Sequence, residues 1–144
     1  MTAYVALLRA VNVAGTGKLP MSELRAIGEA AVQRTIEQRL EAFFDKRVPV
    51  FVRSAAEMAA VVAGNPFHDD KASWVMAHFI DEVPEPAMLD AASGVGGERM
   101  SLGPRMIYVS YGEGIGKTRL KLPAVKQGTA RNMNSVARIA EMLA

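Results

Sequence analysis

Apolar residues along this chain follow two rhythms, one of strands and one of helices. From Tyr4 to Val13 they run almost unbroken, interrupted only by Arg9 and Asn12. That is the pattern of a central strand buried on both faces that surfaces at its C-terminal end. Gly15 and Gly17 follow as a turn, and Pro20 suits the first turn of a helix in which Met21, Leu24 and Ile27 share a face. A second helical stripe, Val32, Ile36, Leu40 and Phe43, points roughly a third of a turn away from the first, so the spacing predicts an interruption near Gly28 to Ala31. Val48 to Val52 reads as a strand whose Pro49 marks an edge or a strand start.

Ser54 with Glu57 three residues later forms a capping box that opens a helix bearing Met58, Val61 and Val62, and Asn65-Pro66 stops it. Ser73 to Ile80 predicts a buried strand, and Pro84 and Pro86 introduce a short helix through Leu89. Ser93 to Gly97 is a loop. Glu98 to Leu102 and Met106 to Tyr111 form a hairpin joined at Gly103-Pro104. A last helix begins near Asn132, with Met133, Val136, Ile139, Ala140 and Leu143 as its stripe. The order of elements suggests two halves of the βαββαβ type, residues 1–53 and 54–144, the first without its middle hairpin. The expected fold class is α+β, with two ferredoxin-like halves, two layers and mostly antiparallel sheets.

Composition narrows the chemistry. With 144 residues, half of them apolar, the chain can bury a real core, and 17 Lys and Arg against 15 Asp and Glu leave a formal charge of only +2. That excess is too small to argue for general attraction to nucleic acid or to an anionic membrane. No cysteine is present and histidine occurs twice, which removes disulfides, thiolate metal sites and cysteine nucleophiles and leaves too little for most zinc centres. No apolar run approaches the roughly 18 residues of a bilayer span, and no basic segment precedes an apolar one at the N-terminus, so the expected location is cytoplasmic.

Three segments carry candidate chemistry. Arg9, Asn12 and Lys18 stand at the end of the first strand, where a guanidinium fork and a mobile ammonium suit a carboxylate or phosphate. Tyr111 to Thr118 invites comparison with a phosphate-binding P-loop but has Tyr111 where the first glycine belongs, leaving a looser anion site built on Lys117 and Arg119. Thr129 to Asn132 precedes the last helix, where Thr129 or Asn132 caps the helix and Arg131 with free backbone donors faces an anion. His68-Asp69-Asp70 lies on a polar loop and His78 in an apolar strand; neither points to a metal, and no cofactor is expected.

Three stretches, ALLRAVNVAGTGKLPMSELR (Ala6 to Arg25), AGNPF (Ala63 to Phe67) and GTARNMNSVARIAEML (Gly128 to Leu143), resemble the bacterial domain-of-unknown-function family 1697 (DUF1697). The resemblance spans nearly the whole chain and implies two related α+β halves with no established activity. It also implies a further segment like Thr-Tyr-Ile-x-Ser-Gly-Asn-Val, which would fall between Ala30 and Ala31 and is missing here. Met133 stands where an aromatic residue is common in the family.

The leading expectation is binding of a small anionic ligand, a nucleotide or phosphorylated metabolite, in a cleft between the halves by Arg9, Asn12, Lys18, Lys117, Arg119, Arg131 and Asn132. One alternative is a phosphoryl-transfer or hydrolytic enzyme with Glu113 or Asp69 as base. A second is single-stranded RNA binding on an open sheet face, although paired aromatics are scarce on the strands and nucleic acid is not the expected partner. No membrane partner is expected, and the sequence leaves the oligomeric state open.

Overall fold

The first two strands of the computed structural model, which describes residues 4–8, 29–44 and 49–144, pair with each other. β1 (Tyr4–Leu8) runs antiparallel to β2 (Val50–Ser54), with Tyr4 opposite Ser54 and Leu8 opposite Val50. Pro49 stands immediately before β2, the place a residue without an N–H can occupy at no cost to the ladder. Arg9, Asn12, Lys18 and the Met21 to Ile27 stripe lie outside the described residues.

Helix α1 (Glu29–Phe44) packs against β2, with Ile36 buried and Gln33 donating to Glu37 one turn on at 3.3 Å. It runs unbroken through Ala30 and Ala31. The expected interruption is therefore not between Ala30 and Ala31, while Gly28 and the stripe before it lie outside the described residues.

Helix α2 (Ala55–Ala63) starts as the capping box requires. Ser54 Oγ accepts from Glu57 N–H at 3.2 Å, and the Glu57 carboxylate accepts from Ser54 N–H at 3.0 Å. After the helix, Asn65 Oδ1 accepts from Phe67 N–H at 2.9 Å, closing the turn that Pro66 initiates.

The remaining strands build a four-stranded sheet: β3 (Val75–Phe79), β4 (Arg99–Gly103), β5 (Met106–Ser110) and β6 (Thr129–Asn132), in the order β4-β5-β3-β6 with every neighbour antiparallel. Counted from β3, this is order 2-3-1-4, the arrangement of a split βαββαβ unit. Helix α3 (Pro86–Asp90) lies in the first crossover, and 3-10 turns at Gly112–Lys117 and Pro123–Val125 take the place of a helix in the second. β6 was expected only as a capping segment. Its Thr-Ala-Arg-Asn sequence has no apolar alternation, and it becomes a strand by pairing with β3. Helix α4 (Met133–Leu143) follows at once, capped by Asn132 Oδ1, which accepts from Ser135 N–H at 2.9 Å.

Period-2 alternation divides the sheet's side chains between its faces. Val75, Ala77 and Phe79 of β3 and Met106 and Tyr108 of β5 pack with Met58 and Val61 of α2 and Met133 and Val136 of α4, joined by Leu7 and Phe51 from the first sheet. The Tyr108 hydroxyl donates to the Val61 carbonyl at 2.6 Å, so this buried phenol is satisfied by the helix above it. On the opposite face, Ile107 and Val109 meet Ile80 and Leu122, with Met88 and Leu89 of α3 and Leu120, Ala124 and Val125 from the second crossover around them.

Buried Arg53 ties the two sheets together. Its Nη1 donates to the Val52 carbonyl at 2.9 Å, and its Nη2 donates to the carbonyls of Ile80 at 2.6 Å and Arg105 at 3.1 Å, while the guanidinium lies over the Phe79 ring. One residue of β2 thereby holds the end of β3 and the β4–β5 turn. A guanidinium does this because it offers several donors in a fixed fork and stays charged at any ordinary pH.

Candidate functional site

Residues Lys117 to Leu122 alternate. Lys117, Arg119 and Lys121 are exposed, while Thr118 and Leu120 are half-buried and Leu122 is buried against Ile107 and Val109. Anchoring every second side chain to the sheet turns the three cations outward. Facing this segment is the Ser93–Gly97 loop. Ser93 N–H donates to the Lys121 carbonyl at 2.9 Å, and Lys121 N–H donates back to Ser93 at 2.8 Å. Gly94 has φ +68°, and a Cβ there would fall 2.1 Å from the Arg119 carbonyl oxygen, so only glycine lets the two backbones approach this closely.

The result is an open recess of about 410 Å³ lined by Ser93, Gly94, Arg119 and Lys121. Among the described residues, neither Arg119 nor Lys121 is held in an ion pair. The surrounding sequence is one-sided: residues 114–140 contain Lys117, Arg119, Lys121, Lys126, Arg131 and Arg138 and no carboxylate. Arginine, lysine and serine are residue types that suit an oxyanion, and all three are among the residues that line this recess.

Of the expected site residues, Lys117 and Arg119 fall on this segment, Lys117 at the end of the 3-10 turn outside the recess lining. Arg131 goes elsewhere. It stands opposite Ala77 in the ladder and so belongs to the helix-covered face, where its Nη1 donates to Thr129 Oγ1 at 2.8 Å and to the Ala130 carbonyl at 2.7 Å. The sheet thus separates Arg131 from Lys117 and Arg119. Asn132 serves as the cap of α4. The members missed by the sequence are Lys121, Ser93 and Gly94; the Lys-Thr-Arg-Leu-Lys-Leu alternation carried the signal for Lys121.

The cleft expected between the halves exists as a groove of about 540 Å³ lined by Glu37, Pro49 and Phe51 on one side and Ile80, Asp81, Glu82, Ala124, Gln127 and Gly128 on the other. Among the described residues its lining is acidic. Three carboxylates line it and, among the described residues, no Lys or Arg does. The RNA alternative meets a steric correction, because Ile107 and Val109, at the centre of the face an RNA would stack on, are fully buried beneath the second crossover. The Tyr111 to Thr118 stretch is a 3-10 turn that follows an antiparallel strand and leads into extended chain at Thr118, so it lacks the strand–loop–helix frame of a P-loop.

Two polar clusters flank the recess side of the molecule. Glu98 accepts from Thr118 Oγ1 at 2.5 Å and from Gly96 N–H at 2.6 Å, and these bonds hold its carboxyl below the usual carboxylate range, the threonine hydroxyl contributing most. His78 Nε2 and the Tyr111 hydroxyl are hydrogen-bonded at 3.0 Å. Burial lowers the His78 pKa from the usual 6.5 to about 4, so the imidazole is neutral at pH 7. Burial also raises the Tyr111 phenol, and the Glu98 charge adds to the effect.

Beside Glu98 and Tyr111, at the same end of β4 and β5, the Ser110 hydroxyl donates to Asp70 at 2.5 Å and Arg99 pairs with the same carboxylate while lying over Phe67, its guanidinium carbon 4.9 Å from the ring centroid. The serine first and then Arg99 hold Asp70 below its ordinary range. His68 and Asp69 are 3.5 Å apart and both well exposed. Among the described residues no three His, Asp or Glu side chains are grouped to hold a metal, and no helix is long and apolar enough to cross a membrane.

Fold and site together define an α+β protein with a split βαββαβ sheet and a small basic recess beside its second crossover. The chain belongs to the family described as protein of unknown function (DUF1697), whose model matches residues 1–31 and 28–108. The two matched parts overlap over residues 28–31. Among solved structures, the chain is similar to the conserved bacterial protein SP0830 from Streptococcus pneumoniae, at 20% identity and a TM-score of 0.73, covering 99% of this chain and 98% of that one. At that identity the likeness speaks for the fold. No curated protein matches.

Proposed function

We propose that this protein binds a small anionic ligand, a nucleotide or phosphorylated metabolite, at the recess of Ser93, Gly94, Arg119 and Lys121. The observation that carries the reading is the pair Arg119 and Lys121, exposed, without an ion-pair partner among the described residues, and held at one rim by a backbone bridge to Ser93. Among the described residues, those that line the recess are Ser93, Gly94, Arg119 and Lys121, a set of binding groups.

Thermal-shift screening of inorganic phosphate, nucleotides and phosphorylated metabolites tests the reading. A ligand at 100 times its Kd stabilises the native state by about 2.7 kcal/mol, a readily measured rise in Tm. The rise is expected in the wild-type protein and is lost in Arg119→Ala/Lys121→Ala. No rise with any phosphate-bearing compound, or a rise that survives the double substitution, counts against the recess. Arg9→Ala in the same screen tests the separate expectation for Arg9, Asn12 and Lys18.

A further inference from the structure

Glu98 is out of place for an anion site. It bonds to the loop that carries Ser93 and Gly94 and to the segment that carries Arg119 and Lys121, and yet does not line the recess. One carboxylate oxygen accepts from Thr118 on the cationic segment, and the other accepts from Gly96 N–H on the glycine loop. Thr118 Oγ1 in turn accepts from Leu120 N–H at 3.2 Å, so the clasp reaches the backbone on either side of Arg119. With the Ser93–Lys121 bridge at the other end, the loop and the segment are fastened at two points, and Arg119 lies between them. Bonds to an ionised acceptor are the strong class of hydrogen bond, about twice the strength of neutral ones.

We propose that Glu98 is a positioning residue of the anion recess: its carboxylate clasps Thr118 to the Gly96 loop and so sets the placement of Arg119 and Lys121 on the ligand. This role rests on the reading of the recess as an anion site. It makes a prediction opposite in sign to simple electrostatics. A negative charge near an anion site weakens binding through Coulomb repulsion, so removing it should strengthen binding if charge were its only effect. A clasp works the other way, because the ligand must then order the cations itself.

Sulfate is the probe, since its charge is constant at any pH near neutrality, and its Kd is measured by calorimetry at fixed ionic strength. Glu98→Ala is expected to weaken sulfate binding about tenfold. Glu98→Gln drops the charge but can keep the clasp, its amide oxygen accepting from Gly96 N–H and its NH2 donating to Thr118 Oγ1, and is expected to stay within about twofold of wild type. Thr118→Val breaks the same clasp from the other side; it should weaken binding like Glu98→Ala, and the double variant should be no weaker than either single one, the mark of a shared interaction. Circular dichroism confirms the fold of each variant, and Thr118→Val carries the test where Glu98→Ala does not fold.

Glu98→Ala or Thr118→Val binding sulfate as tightly as wild type, or more tightly, overturns the positioning role and leaves the recess standing. Wild-type protein that binds no sulfate removes the recess and this role together.

Discussion

The two faces of the four-stranded sheet are built by different means. On one, α2 and α4 lay regular apolar stripes over Val75, Ala77, Phe79, Met106 and Tyr108, and among the described residues the only polar tip in that cluster, the Tyr108 hydroxyl, is spent on a helix carbonyl. On the other, a short helix and a long crossover cover Ile107 and Val109, and polar pairs, His78 with Tyr111 and Glu98 with Thr118, share the work with Leu122. The helix face buries the larger apolar cluster. The crossover face holds its apolar residues in place with side-chain hydrogen bonds, and that leaves alternate residues free to present cations.

Paired truncations test this contrast most strongly. Phe79→Ala on the helix face should cost about 4 kcal/mol of unfolding free energy and Leu122→Ala on the other face about 2, both read by urea denaturation. Equal costs would break the comparison. The next effect is a pH dependence specific to the crossover face. Folded His78 titrates near 4 and the unfolded residue near 6.5, so above 6.5 both states are neutral, and as pH falls from 6.5 toward 4 only the unfolded state takes up the proton. Stability should therefore fall over that window by up to about 3 kcal/mol, and His78→Gln should flatten the slope. Asp70 and Glu98, both held below their ordinary range, add their own losses only at the acid end, so the stretch above pH 5 isolates the histidine.

Gly94→Ala places a Cβ against the Arg119 carbonyl at a left-handed φ and should cost about 2 kcal/mol while lowering oxyanion affinity, the stability and binding losses appearing together. Smallest is Ser54→Ala, which removes a helix cap far from the recess; it should cost about 1 kcal/mol and leave anion binding unchanged.

Local chemistry was legible in the sequence where neighbours in the chain decide the structure. The Ser54–Glu57 box, the Gly103-Pro104 hairpin and the Asn132 cap each depend on residues within a few positions, and each is found where the sequence placed it. β6 was not legible, because Thr129 to Asn132 becomes a strand only through a distant partner, β3. The same holds for the recess: Ser93 and Lys121 meet across two strands and a 3-10 turn, and no local pattern announces the bridge. Charge counting misjudged Arg131 for a related reason. Its position in the chain placed it beside the other cations, but the ladder register turns it to the other face.

A heteronuclear NMR titration with sulfate reports where the anion sits as well as whether it binds. Saturating shifts are expected at the amides of Ser93, Gly94, Arg119 and Lys121, abolished in Arg119→Ala/Lys121→Ala. Shifts that center elsewhere, or that never rise above those of a neutral solute, would contradict an anion site at the recess.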